Sequence, residues 1–281
     1  MNTSLPLLAE ELRVDTLEIF KARGFGHVGG AMSVCELIAV LYGSVMRYDS
    51  KTPAWYERDR LVCSKGHAGP TIYSALAKYG FFDKALLKTL NHPGTTLPSH
   101  CDMNLTPGVD MTTGSLGQGV STAVGLAIGQ KLAKQDSRTY LIIGDGECNE
   151  GQVWEGLMLA SHKKLDNLIV FCDRNRQQLD GWVENVLETG DMAAKFESFG
   201  FYTQTINGHS TEEIAAAIAK AQAENGGKPS MIVMNTVKGY GCALTENQEF
   251  NHHVAFTADD MENSLAAARE RLEKVRAEVQ A

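Results

Sequence analysis

Gly144-Asp145-Gly146, with Glu147, Asn149 and Glu150 close behind, directly follows the apolar run Tyr140–Ile143. A glycine-flanked carboxylate at the end of an apolar run suits the capture of a phosphorylated ligand through a hard cation. The glycines let a bulky ligand approach the backbone and can turn N–H groups toward a phosphate. Asp145 alone would repel a diphosphate. Mg²⁺ or Ca²⁺ between them removes the conflict, because such an ion takes carboxylate, amide, carbonyl and phosphate oxygens together. A second oxygen donor is expected at the end of the next apolar run. Leu168–Cys172 leads into Asp173-Arg174-Asn175, and Asn175 follows Asp145 by thirty residues. One strand–helix–strand crossover occupies about that length, so neighbouring parallel strands would bring Asp145 and Asn175 to the same edge. Gly-Asp-Gly alone reads more readily as an ordinary turn. The offset of Asn175, the apolar runs before both residues and the following Gln177-Gln178-Leu179-Asp180-Gly181 turn the balance toward a ligand site.

Eight histidines are present, and four sit beside glycines or turn residues: His27, His67, His100 and His252. Singly, each reads more readily as a surface or capping residue. Together they could serve a site that handles several hydroxyls, since a neutral imidazole both donates and accepts near pH 7. His92, His162, His209 and His253 read as ordinary surface or capping residues. The loop Thr112–Gly119 precedes a helix rich in small residues (Ala123, Gly125, Ala127, Gly129). Spacing alone makes it a tight turn into a buried helix.

These residues need elements to carry them. Apolar spacing predicts helices over Leu5–Ala22, Ser33–Tyr42, Pro70–Tyr79 and Val120–Lys134. From Tyr140 onward, strand candidates Tyr140–Ile143, Leu168–Cys172, Tyr202–Ile206 and Met231–Val237 alternate with helices near Gln152–Lys163, Ala193–Ser198 and Thr211–Ala223. That alternation predicts an α/β fold, a mostly parallel sheet with helices on both faces. A charged amphipathic helix over Asp259–Val279, capped by Thr257, follows. No repeat or linker divides the 281 residues, and a single domain over 1–281 is expected, with the C-terminus a genuine one.

Composition narrows the function classes. The formal charge of −8 leaves no basic stripe for a nucleic acid. No run reaches the roughly 18 apolar residues of a membrane span, and the acid-bearing N-terminal segment does not read as a signal peptide. Six scattered cysteines without a C-x-x-C pair read as reduced thiols, so a cytoplasmic protein is expected.

The segment from Gly144 to Asn175 is similar to the thiamine diphosphate motif of the transketolase family, including Gly-Asp-Gly-x-x-x-Glu-Gly at Gly144–Gly151. Arg58–His67, with its strand leading into Gly66-His67, and Thr112–Gly119 resemble further family segments. The likeness runs in order from Leu12 to about Phe256. It departs at Phe256, where related split subunits usually have Pro, and at Asn251, where they usually have an aromatic residue. The resemblance implies a thiamine-diphosphate-binding fold. Asp145 and Asn175 would ligate the metal through side chains and Gln177 through its carbonyl. His67, Gly146 and Glu147 would belong to the cofactor site, with Gly114, Ser115 and Leu116 flanking the aminopyrimidine. Glu150 would lie at a subunit contact and relay hydrogen bonds to the cofactor. His27 and His100 would face the sugar, and His252 would reach both cofactor and substrate.

The implied reaction moves a two-carbon ketol unit from a ketose, free or phosphorylated, to an aldose acceptor. A full transketolase continues into a pyrimidine-binding domain carrying the Glu that assists the cofactor. The resemblance therefore implies a C-terminal partner subunit bearing that domain, in an α2β2 assembly. Other readings are the α subunit of a 2-oxo-acid dehydrogenase, a deoxyxylulose-phosphate-synthase-like enzyme and a non-catalytic regulatory homologue. The histidine set argues against the first, the chain's brevity against the second, and an intact Asp145/Asn175 pair against the third. No Gly-x-Gly-x-x-Gly joins a strand to a helix, which disfavours a nicotinamide enzyme.

Overall fold

The computed structural model describes residues 4–280; the reading of the N-terminal segment at residues 1–3 lies outside the described residues. Two short strands, β1 (Phe25–Gly26) and β9 (Val254–Ala255), form an antiparallel pair, as do β5 (Gln177–Gln178) and β6 (Gly181–Trp182). The remaining strands are β2 (Arg60–Cys63), β3 (Thr139–Gly144), β4 (Leu168–Arg174), β7 (Tyr202–Asn207) and β8 (Ser230–Asn235). They make a central, all-parallel sheet of five strands in the order β2-β3-β4-β8-β7.

Alternation along the strands explains why both faces are covered. Tyr140, Ile142, Ile169, Phe171, Ile232 and Met234 join one buried cluster, while Leu141, Ile143, Val170, Cys172, Met231 and Val233 join the other. Successive side chains of a strand point to opposite faces, so a run apolar at every position must be packed from both sides. The first face is covered by α1 (Leu5–Arg23), α3 (Cys35–Val40), α4 (Gly69–Lys78) and α9 (Thr211–Glu224). The second is covered by α5 (Gln118–Leu132), α6 (Gly151–His162) and α8 (Met192–Ser198). The short helices α2 (Val28–Met32) and α7 (Val183–Val186) sit near the sheet's C-terminal edge, and α10 (Ala258–Gln280) packs along α1. Thr257 caps α10 by accepting the Asp260 N–H at 3.1 Å.

Three segments differ from sequence expectation. The helix expected over Ser33–Tyr42 starts only at Cys35, as α3, while the Ser33 hydroxyl donates to Asp173 at 2.8 Å. α3 then loosens into a π-helical turn, Leu41–Val45, closed by the Met46 N–H on the Leu41 carbonyl. The strand expected to reach Val237 ends at Asn235, because Thr236 turns its hydroxyl to Asp173 at 2.5 Å. Apolar spacing gave no sign of β2, which only the family likeness placed. It is a four-residue edge strand whose Cys63 is in register with Ile142.

Candidate active site

The tips of β2, β3, β4 and β8 surround a cleft of about 250 Å³ beyond the sheet's C-terminal edge, where open parallel sheets bind ligands. β3 and β4 are adjacent and parallel, with Gly144 opposite Asp173. Asp145 and Asn175 therefore emerge side by side, and both line the cleft. The Asp145 N–H donates to the Asp173 carbonyl at 3.2 Å. The Asp145 carboxylate accepts from the N–H groups of Gly146 (2.8 Å) and Arg176 (2.6 Å). Asn175 donates its amide N–H to Asp173 at 2.8 Å, and its Oδ1 accepts the Gln177 N–H at 3.0 Å. Gln177 also lines the cleft.

Asp145 is only 2% exposed. Burial, and then the charge of Asp173, push its carboxyl up to about 7 despite the two N–H donors. A buried carboxylate this short of counter-charge, beside an amide oxygen, suits a hard divalent cation. Among the described residues no three His, Cys, Asp or Glu side chains cluster as a metal site. The Asp145–Asn175–Gln177 set contains a single carboxylate and otherwise amide and backbone oxygens, so it is of a different type.

Asp173 anchors this edge. It is fully buried and accepts from Lys65 Nζ (2.5 Å), Ser33, Thr236 and Asn175. Burial would raise its carboxyl, but Lys65 and these donors hold it below the usual range. Lys238 enters the same cleft, donating to the Gln178 carbonyl at 3.1 Å. Burial, then the charge of Lys65, lowers its ammonium to about 8. An anion in the cleft would relieve that strain. Sequence reasoning assigned roles to neither lysine nor to Asp173, because single charged residues carry no signature until the fold brings them together.

The four histidines beside glycines or turn residues converge as a group. His27 lies 5.2 Å from both His100 and His252 between ring centroids, and His67 lies 4.7 Å from His252. His67, His100 and His252 line the cleft itself. Close approach depends on two glycines. A Cβ on Gly30 would stand 2.6 Å from His67 Nε2, and Gly114, at φ +144°, lies under the His100 ring. Burial, then the neighbouring histidines and lysines, lowers His27 to about 4 and His252 to about 3. His67 is depressed in the same way, and burial lowers His100. All four are therefore neutral at pH 7, able to donate and accept. His252 Nδ1 is buried without a hydrogen-bond partner in the protein.

His253 belongs to this neighbourhood as well, 4.8 Å from His27 and 5.5 Å from Phe25. The sequence had marked it as an ordinary surface residue; it is exposed, yet it stands at the mouth of the histidine group. Asn251, in place of an aromatic residue, stitches loops together. It donates to the carbonyls of Thr245 (2.8 Å) and Lys238 (3.3 Å), and its own carbonyl accepts the Gly29 N–H at 3.2 Å.

Other expected site residues divide. Gly114, Leu116, Gly146 and Glu150 line the cleft. Ser115 does not; it is exposed, and its carbonyl accepts from Gln118 at 3.3 Å. Glu147 lies in the wall, but its carboxylate faces the protein. One oxygen accepts from the Ser64 hydroxyl and the Gly117 N–H (2.7 Å), the other from the Gly144 N–H (3.0 Å). It braces the cleft rather than offering a free oxygen to a ligand.

The sequence of residues 6–273 matches the family model for the transketolase thiamine diphosphate binding domain. The chain belongs to the transketolase family. It is 48% identical over 258 residues to the 6-deoxy-6-sulfo-D-fructose transketolase subunit of Clostridium sp. (strain MSTE9), covering 92% of this chain and 94% of that protein. It is 34% identical to an apulose-4-phosphate transketolase subunit of Phocaeicola vulgatus, covering 98% and 97%. Among solved structures, transketolase from Leishmania mexicana superposes with a TM-score of 0.87 at 33% identity, over 98% of this chain but 45% of that one. The chain thus spans less than half of that transketolase, and nearly all of the two relatives named as subunits. Membership accounts for the all-parallel sheet and the cleft at its C-terminal edge.

Proposed function

We propose that this chain is the diphosphate-binding subunit of a two-chain transketolase that moves a two-carbon ketol unit from a ketose to an aldose acceptor. The observation that carries the reading is the pairing of Asp145 and Asn175 at adjacent strand tips beneath four converging, neutral histidines. Asp145, Asn175 and the Gln177 carbonyl would hold Mg²⁺ or Ca²⁺, and the Gly146 backbone, His67 and Lys238 would receive the diphosphate. Gly114 and Leu116 would flank the aminopyrimidine. When bound, thiamine diphosphate supplies the nucleophilic carbon and the electron sink for breaking and making a carbon–carbon bond. His27, His100 and His252 would orient sugar hydroxyls and shuttle their protons, and neutral rings suit both tasks. Glu150 stands exposed on the cleft's rim, where a partner chain would meet it.

A two-chain assembly is supported by coverage: relatives of the same length are named as subunits, and the longer enzyme extends well beyond the matched part. The partner would bring the pyrimidine-binding domain and its glutamate, in an α2β2 arrangement. The names of these relatives point to a specialised sugar, sulfonated or branched, as a fit substrate class alongside ordinary pentose phosphates. The chain, one domain on this reading, is expected to bind thiamine diphosphate with Mg²⁺ but to turn nothing over alone. Adding a C-terminal transketolase subunit that carries the pyrimidine-binding domain should start ketol transfer in a donor–acceptor screen. Robust turnover by the isolated chain would contradict the proposal.

A further inference from the structure

The His209 imidazole stands outside the cleft, and its neighbours fix its tautomer. Nε2 accepts the Val237 backbone N–H at 2.8 Å, so it carries no proton. In the neutral ring the proton lies on Nδ1, facing Glu36 Oε2 at 3.3 Å. The ring stacks on Tyr240 with centroids 3.7 Å apart. Glu36 pairs with the fully buried Arg13, which also donates to the carbonyls of Met32 (3.2 Å) and Tyr240 (2.6 Å). Burial would raise the Glu36 carboxyl, but Arg13 and the His209 hydrogen bond outweigh it and hold it below the usual range.

The backbone from Val237 to Tyr240 is therefore held at both ends, its first N–H by His209 and its last carbonyl by Arg13. Lys238 lies between. Its carbonyl accepts from Asn251 at 3.3 Å, and the next N–H, of Gly239, donates to the Gly29 carbonyl at 2.9 Å. A tilt of this segment would move the Lys238 ammonium within the cleft.

We infer that His209 is a positioning residue for the diphosphate end of the cleft: by accepting the Val237 N–H, it sets the backbone from which Lys238 reaches the ligand. The inference rests on the reading of the cleft as a diphosphate site. A histidine that merely filled core space would leave ligand affinity alone once the chain had folded. A positioning histidine acts through Lys238, so removing that ammonium should abolish its influence.

The test is calorimetric titration of the full chain with two probes, Mg²⁺–thiamine diphosphate and Mg²⁺–pyrophosphate. His209→Phe keeps a ring against Tyr240 but cannot accept; it should weaken both probes roughly tenfold, a loss of about 1.4 kcal/mol. His209→Gln keeps an acceptor and should recover most of that. Lys238→Met should weaken both probes, and His209→Phe added to it should cost nothing further. Where His209→Phe does not fold, His209→Gln against His209→Met gives the same comparison. Unchanged binding in the variant without an acceptor, or losses that multiply in the double variant, would overturn the inference alone. No binding of either probe by the wild-type chain would overturn the reading of the cleft, and this inference with it.

Discussion

Asp145 is the residue on which the cleft's chemistry turns, and its cost is visible without any ligand. A carboxyl that burial and Asp173 push to about 7 is destabilising in an empty cleft. Asp145→Asn should therefore leave the thermal midpoint of the ligand-free chain unchanged or higher, while Mg²⁺-dependent cofactor binding falls by roughly a hundredfold or more. Scanning calorimetry and titration on one preparation check both halves, and a lowered midpoint would contradict the account. The histidines give a second expectation. His27 and His252 titrate near 4 and 3 in the folded chain and near the ordinary imidazole value when unfolded. The unfolded chain therefore takes up protons first, so stability should decline as pH falls below about 6.5, levelling as the folded values are passed. Urea midpoints at pH 7 and pH 5 would show it, and the double variant His27→Gln/His252→Gln should flatten the difference. Sequence made Asp145 and the four histidines legible because each sits beside a glycine or a turn residue, and Asn175 because it follows Asp145 by thirty residues at the end of the next apolar run. Lys65, Lys238, Asp173 and His253 were not legible, since they become neighbours only through the sheet and the loops at its edge.

Elements were legible where periodicity was long. β3, β4 and β8 and the helices between them fall close to their expected places, because runs apolar at nearly every position and runs spaced at 3.6 residues differ plainly, and β7 does so on its β-favouring Tyr, Thr and Ile. Two of the misread segments bend toward the cleft. Ser33 and Thr236 leave their elements to reach Asp173, a side-chain demand that backbone periodicity cannot register. Glu147 shows how the loops after β2 and β3 and the loop before α5 are held together, through Ser64, Gly144 and Gly117. Glu147→Ala strands two backbone N–H groups in a buried wall. It should cost about 2–4 kcal/mol in urea unfolding, at about 1–3 kcal/mol per unmet group with partial relief by water. It should also weaken cofactor binding, because the cleft's wall loosens.

At the scale of the molecule, a preformed cleft should report its ligand through stability. At a hundred times the dissociation constant, cofactor with Mg²⁺ should stabilise the chain by about 2.7 kcal/mol, seen as a rise in melting temperature that chelator reverses. α10 adds a less evident consequence. Its Arg271 lies over the Tyr240 ring, 4.7 Å from the centroid, and bonds Glu10 at 2.9 Å. The final helix thus backs the aromatic ring against which His209 lies, while its last residues, 277–280, stand in solvent. Shortening the chain to residue 276 should be harmless; trimming past Arg271 would unseat Tyr240 and slacken, from some distance, the backbone that carries Lys238. Where a purification handle is joined at that end, its attachment is safe on the outermost turn and hazardous one and a half turns further in.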